Sequence, residues 1–170
     1  MALSRLPQPT IAKVRGVAVG VGCNMALGCD LVVASDTARF SQIFSKRGMS
    51  LDGGGSWLLP RRIGLHRAKE MAFFADIIDA AEADRIGLVN RVVPDAQLDA
   101  FVADWTDRLI ALPPIALAQS KRMLNNSMNV TLEEALDDEG VAQTVNFGTK
   151  DTPEAIAAWM EKRNPVFKGR

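Results

Sequence analysis

The chain has 170 residues, 48% of them hydrophobic and 24% charged, which are the proportions of an ordinary folded domain and exclude a disordered, collagen-like or disulfide-dense chain. Lys plus Arg and Asp plus Glu number 20 each, so no basic excess points to nucleic acid or to a membrane surface. No apolar run approaches the roughly 18–20 residues of a membrane-spanning helix. The start, MALSRLPQPTIAKV, lacks the basic-then-apolar pattern of a secretory signal. Two cysteines, Cys23 and Cys29, are too few for a disulfide framework or a zinc site. A cytoplasmic protein with no metal or redox cofactor is expected.

In chain order, Thr10–Val19 alternates in character and predicts a strand. Gly20–Cys29 predicts a tight turn into a short helix, and Leu31–Ala34 a second strand. A turn over Asp36–Arg39 leads to an extended or irregular stretch, Phe40–Phe44. Gly48–Gly55 is a loop with four glycines. A helix is expected from Ser56 to Phe74, disturbed at Pro60. Leu88–Val93 predicts a third strand, ended by Pro94. Leu98, Phe101, Val102, Trp105 and Leu109 lie on one helical face that Asp95 can cap. A helix over Ile115–Met128 follows. Thr131 and Glu134 form a capping-box pattern for a helix through Phe147. Thr152, with Pro153 behind it, predicts the cap of a last helix. Strands first and helices later indicate an α/β or α+β domain, with α/β the expected class. Three strands make a small sheet for so many helices.

Two stretches carry chemistry. The turn Gly20–Val21–Gly22 precedes a helix whose first N–H groups have no internal acceptor. It can hold an anion or a developing oxyanion, or it can simply pack a helix on a strand. The loop GMSLDGGGSWLLPRRIG places one carboxylate, Asp52, among glycines and beside Met49, Leu51 and Trp57. An apolar pocket there would raise its pKa toward neutrality, as a general base or acid needs. The alternative is an aspartate that only makes a turn or caps a helix. His66 is the only histidine and has no visible Ser or Cys partner, so a catalytic triad is not expected. Arg61, Arg62, Arg67 and Lys69 form a basic patch that either faces solvent or meets phosphates. Trp105 and Trp159 are expected in the core or at a subunit contact.

PTIAKVRGVAVGVGCNMALGCDLVVASDTARF and GMSLDGGGSWLLPRRIG, followed by ADIIDAAEADRIGLVNRVVP and EKRNPVFKGR, resemble the crotonase superfamily of enoyl-CoA hydratases and isomerases in order and spacing. The resemblance implies a spiral of strand-strand-helix turns over residues 1–94. It implies a helical region over 95–170 that builds homo-trimers or hexamers. Acyl-CoA thioesters are the implied substrates, with CoA present only as part of the substrate. By position, the Val21 N–H would be one of two oxyanion donors. The two glutamates of the hydratases would fall at Asn24 and Phe44, where there is no acid, so simple hydration is not expected. Asp52 matches the aspartate of isomerases of the dienoyl-CoA and phenylacetate-pathway type. Dehalogenase-type members carry an aspartate there as a nucleophile, so a dehalogenase or thioesterase is the alternative enzyme. Gly20, Gly22, Asn24, Met25, Phe44 and Trp57 would shape the acyl pocket, and Lys168 would reach a CoA phosphate. The family domain begins upstream of Met1, so an N-terminal portion holding the second oxyanion donor is expected to be absent. An inactive truncated member is the non-enzymatic alternative.

Overall fold

A computed structural model describes residues 3–170. The run expected to be one strand is two: β1 (Ile11–Val14) and β2 (Val17–Val19). Gly16 separates them at φ 76, a backbone state that side chains disfavour. The bend hands the chain from one sheet to another. The helix α1 (Val21–Leu27) follows, then β3 (Leu31–Ser35), β4 (Arg39–Ser41) and α2 (Gly55–Phe74). These are two successive strand-strand-helix turns, as the resemblance implied. The short strand β5 (Ile78–Asp79), helix α3 (Ala80–Arg85) and strand β6 (Arg91–Val93) come next.

The expected single sheet of three strands is in fact two sheets of three, in the orders β1-β3-β6 and β2-β4-β5. In the first, β3 lies between two parallel neighbours. In the second, β4 pairs parallel with β2 and antiparallel with β5. A strand between two parallel neighbours needs cover on both faces, and β3 accordingly reads as an apolar run from Leu31 to Ala34. Val33 and Ala34 of β3 and Phe40 of β4 are fully buried. Ala34 and Phe40 join Cys23 and Leu27 of α1, Leu59 and Met71 of α2, and Leu88 in one core.

Four further helices complete the chain: α4 (Leu98–Ile110), α5 (Pro114–Asn126), α6 (Leu132–Phe147) and α7 (Asp151–Glu161). The chain forms two compact units. One comprises the segment up to Arg5 with Thr10–Asp104; the other comprises Leu6–Pro9 with Trp105–Arg170. The division falls within α4, ten residues beyond residue 94. The first turns of α4 are tied to β1 and its end, since Asp99 pairs with Lys13 and Arg15.

Several expected details differ. The helical dihedrals of α2 break at Gly64 (φ 75, ψ 161) and not at Pro60. Pro60 removes a single backbone bond, whereas Gly64 leaves the helical region altogether. Asp95 does not cap α4 with its side chain, because its carboxylate is taken by Arg15. Thr152 lies inside α7, where its hydroxyl donates to the Asn146 carbonyl. The Thr131–Glu134 capping box forms with both of its halves. Among the described residues of the second unit, Ala142, Asp151 and Ala158 are buried. Large apolar side chains there are exposed, including Leu132, Phe147, Met160 and Trp159. Trp159 is therefore not a core residue within one chain.

Candidate active site

Helix α1 places its residues by simple periodicity. Cys23, Asn24, Ala26 and Leu27 face inward, while Val21 and Met25, four residues apart, are exposed on the other face. Gly20 starts the helix at φ 54, and its N–H donates to the Ser41 carbonyl at 2.9 Å. An added Cβ would stand 3.5 Å from Phe44 Cζ. That is an ordinary contact distance, so the glycine is called for by its positive φ and not by crowding against Phe44. No side chain caps the helix start, so the first N–H groups, Val21 among them, point outward without an intrahelical acceptor.

Asp52 is exposed, as are its apolar neighbours Met49 and Trp57. The closed apolar pocket expected around the carboxylate is not formed by the described residues. Side chains that could enclose it stand open to solvent. No donor among the described residues binds the Asp52 carboxylate. Its backbone is held firmly. The Asp52 carbonyl accepts from the Gly55 N–H at 2.9 Å and from Asn24 Nδ2 at 2.8 Å. At Gly53, a Cβ would lie 3.2 Å from Val21 Cγ2. The loop carrying Asp52 therefore abuts the start of α1.

Asn24 and Phe44, named as pocket-shaping residues, are both buried. Asn24 holds the loop from beneath, and Phe44 lies under Gly20. Met25 and Trp57 are the exposed members of the set. Lys168 belongs to the second unit, where its backbone N–H and that of Gly169 donate to the Asp151 carboxylate. Its side chain is exposed.

Two features were not anticipated. Gln42 is fully buried, and its Nε2 donates to Asn24 Oδ1 at 2.9 Å and approaches Cys23 Sγ at 3.5 Å. Two adjacent polar residues, Ser41 and Gln42, bracketed by Phe40 and Phe44, were the available signal. The basic patch is also largely engaged within the chain. Arg61 stacks on Trp57 at 4.0 Å, Arg62 donates to the carbonyls of Leu27 and Cys29, and Arg67 pairs with Glu70. Burial pushes the Cys23 thiol up to about 12, so it stays protonated near neutrality and is a poor nucleophile.

The enoyl-CoA hydratase/isomerase family profile matches residues 1–170. The chain belongs to the enoyl-CoA hydratase/isomerase family. It is 38% identical to the short-chain-enoyl-CoA hydratase of Clostridium acetobutylicum, over 99% of this chain and 65% of that protein. It is 36% identical to the 1,2-epoxyphenylacetyl-CoA isomerase of Escherichia coli, over 99% and 64%. A crystal structure of an enoyl-CoA hydratase from Bacillus anthracis superposes with a TM-score of 0.96 at 34% identity, covering 99% of this chain and 65% of that one. The chain thus spans about two thirds of the length of these family members. Both hydratases and an isomerase stand among its relatives, so family membership alone does not choose the reaction.

Proposed function

We propose that this chain carries the proton-transfer site of an acyl-CoA isomerase. Asp52 removes a proton from one carbon of the acyl group and returns it to another. The Val21 N–H polarises the thioester oxygen and stabilises the enolate formed between the two steps. The observation that carries this reading is the link between the two parts. The loop bearing an unpartnered carboxylate is fastened to the start of α1 through Asn24 and the Gly53–Val21 approach. Base and oxyanion donor would then face one substrate together. Met25 and Trp57 would line the acyl group.

Hydration is the second reading, favoured by relatives named as hydratases. It needs a proton acceptor for water and a proton donor for the α carbon. Asn24 and Phe44 supply neither, which weighs against it.

The test is conversion of a 3-enoyl-CoA to its 2-enoyl isomer by the wild type and by Asp52→Asn. Loss of a positioned general base predicts a fall of about 10²–10⁴-fold in kcat. An unchanged rate in the variant would remove Asp52 from the mechanism. Water addition to a 2-enoyl-CoA faster than isomerisation would favour the hydratase reading. A covalent acyl adduct on Asp52, seen by intact mass, would favour a nucleophilic one.

A further inference from the structure

We infer that Asn24, backed by Gln42, is the positioning residue that sets where Asp52 stands. The inference rests on Asp52 being the proton-transferring group. Asn24 is 1% exposed and Gln42 is 0% exposed, so neither amide can turn to solvent. The direction of their bonds is fixed by chemistry. The Asp52 carbonyl can only accept, so Asn24 must present Nδ2 to it. Oδ1 then faces Gln42, which must donate through Nε2. The resulting line runs from Gln42 to Asn24 to the backbone of the residue that bears the carboxylate.

Gln42 Oε1 is buried and accepts no hydrogen bond among the described residues. Packing alone would favour an apolar side chain there, since an unmade buried bond is costly. The amide at 42 is therefore explained by the Asn24 it holds. At 55, a Cβ would stand 2.9 Å from Asn24 Cγ and nearer still to Nδ2. The turn closes directly onto the amide, which leaves little freedom in the position of Asp52. A displacement of about 1 Å can cost on the order of 10²-fold in rate.

Asn24→Ala, Asn24→Asp and wild type are compared in the 170-residue chain by thermal melting, by amide exchange across residues 50–58 and by isomerisation kinetics. Asn24→Ala is expected to exchange the 52–55 turn up to about tenfold faster, in line with the loss of one hydrogen bond. Its kcat should fall about 10²-fold with little change in KM. In Asn24→Asp the new carboxyl would be buried between the Asp52 carbonyl and Gln42 Nε2. When protonated it donates to that carbonyl as the amide does; when ionised it repels it. Burial raises its pKa, so turn protection and kcat, each relative to wild type at the same pH, should recover as pH falls. The titratable groups on α1, the 52–55 turn, α2 and β4 are Cys23, Asp52, Arg61, Arg62, His66, Arg67, Lys69, Glu70 and Arg39; all are common to wild type and variant, so the comparison at each pH isolates position 24. A merely structural role would lower the melting temperature without this pH-dependent recovery.

Unchanged turn exchange in Asn24→Ala, or Asn24→Asp following wild type at every pH, would overturn the inference. If Asn24→Ala does not fold, Gln42→Met removes the backing bond together with the contact to Cys23 Sγ, and the same exchange measurement decides: unchanged exchange over 52–55 would overturn the inference. If Asp52→Asn retains full kcat while the exchange results hold, the proton-transfer reading fails and the positioning of the loop stands.

Discussion

Gly55 shows how little room the site leaves at the scale of one residue. Its backbone needs no unusual dihedral; it needs the absence of a side chain, because a Cβ would overlap the buried Asn24 amide. Gly55→Ala should therefore destabilise the chain by about 2 kcal/mol, as overpacking of a filled interior does. Denaturant unfolding would measure it, and the double variant with Asn24→Ala should recover part of the loss. A fully additive double variant would mean that the two positions do not meet. The residues of this contact differ in how they could be read. Asp52 among glycines is conspicuous in the sequence. Asn24 shares a helical face with Leu27, which marks it as buried. Gln42 had no partner within helical or strand spacing, and its role exists only once β4 is folded beneath α1. The exposure of Asp52 was also illegible, since the surroundings of a loop carboxylate are set by distant segments.

Elements held by local signals matched their sequence most closely. Helix α6 starts at its capping box, and β3 begins and ends within a residue of its expected bounds. Elements decided by distant partners did not. The bend at Gly16 serves a second sheet, and β5 is a strand because it meets β4. The C-terminal tail is likewise fixed at a distance. Arg163 and the Val166 N–H hold the Glu154 carboxyl down to about 2. A carboxylate in an unfolded chain titrates near about 4.3. The contribution of this contact is thus complete above that pH and is lost as pH falls toward 2. Amide exchange over residues 163–168, corrected for intrinsic rate, should rise between pH 4.5 and pH 2.5 in wild type. Glu154→Gln should show raised exchange at both; an identical acid response in the two proteins would remove Glu154 as the cause.

For the whole molecule, the two units contrast in what they bury. The first has a continuous core of strands and helices. The second exposes 77% of Leu132 and 81% of Trp159. Apolar exposure of this extent marks a surface that meets another protein. A second copy of the chain is the proposed partner, in a trimer or hexamer. Sedimentation should show self-association, with Phe147→Lys/Trp159→Lys shifting the chain toward monomer. A wild-type monomer at all concentrations would exclude that partner. The amphipathic helices were legible in the sequence, whereas the lack of cover for their apolar faces required the fold.

The bend at Gly16 also bears on the origin of the site. β1 is bonded into one sheet and β2 into the other, with two residues between them and no slack. The Gly16 carbonyl is itself anchored by the Arg39 N–H, and Gly20 hangs from Ser41. Both bonds end on β4, so the start of α1 hangs from the second sheet and is joined to the first only along the chain through the bend. Whatever shifts β4 would therefore shift that end of the helix with it.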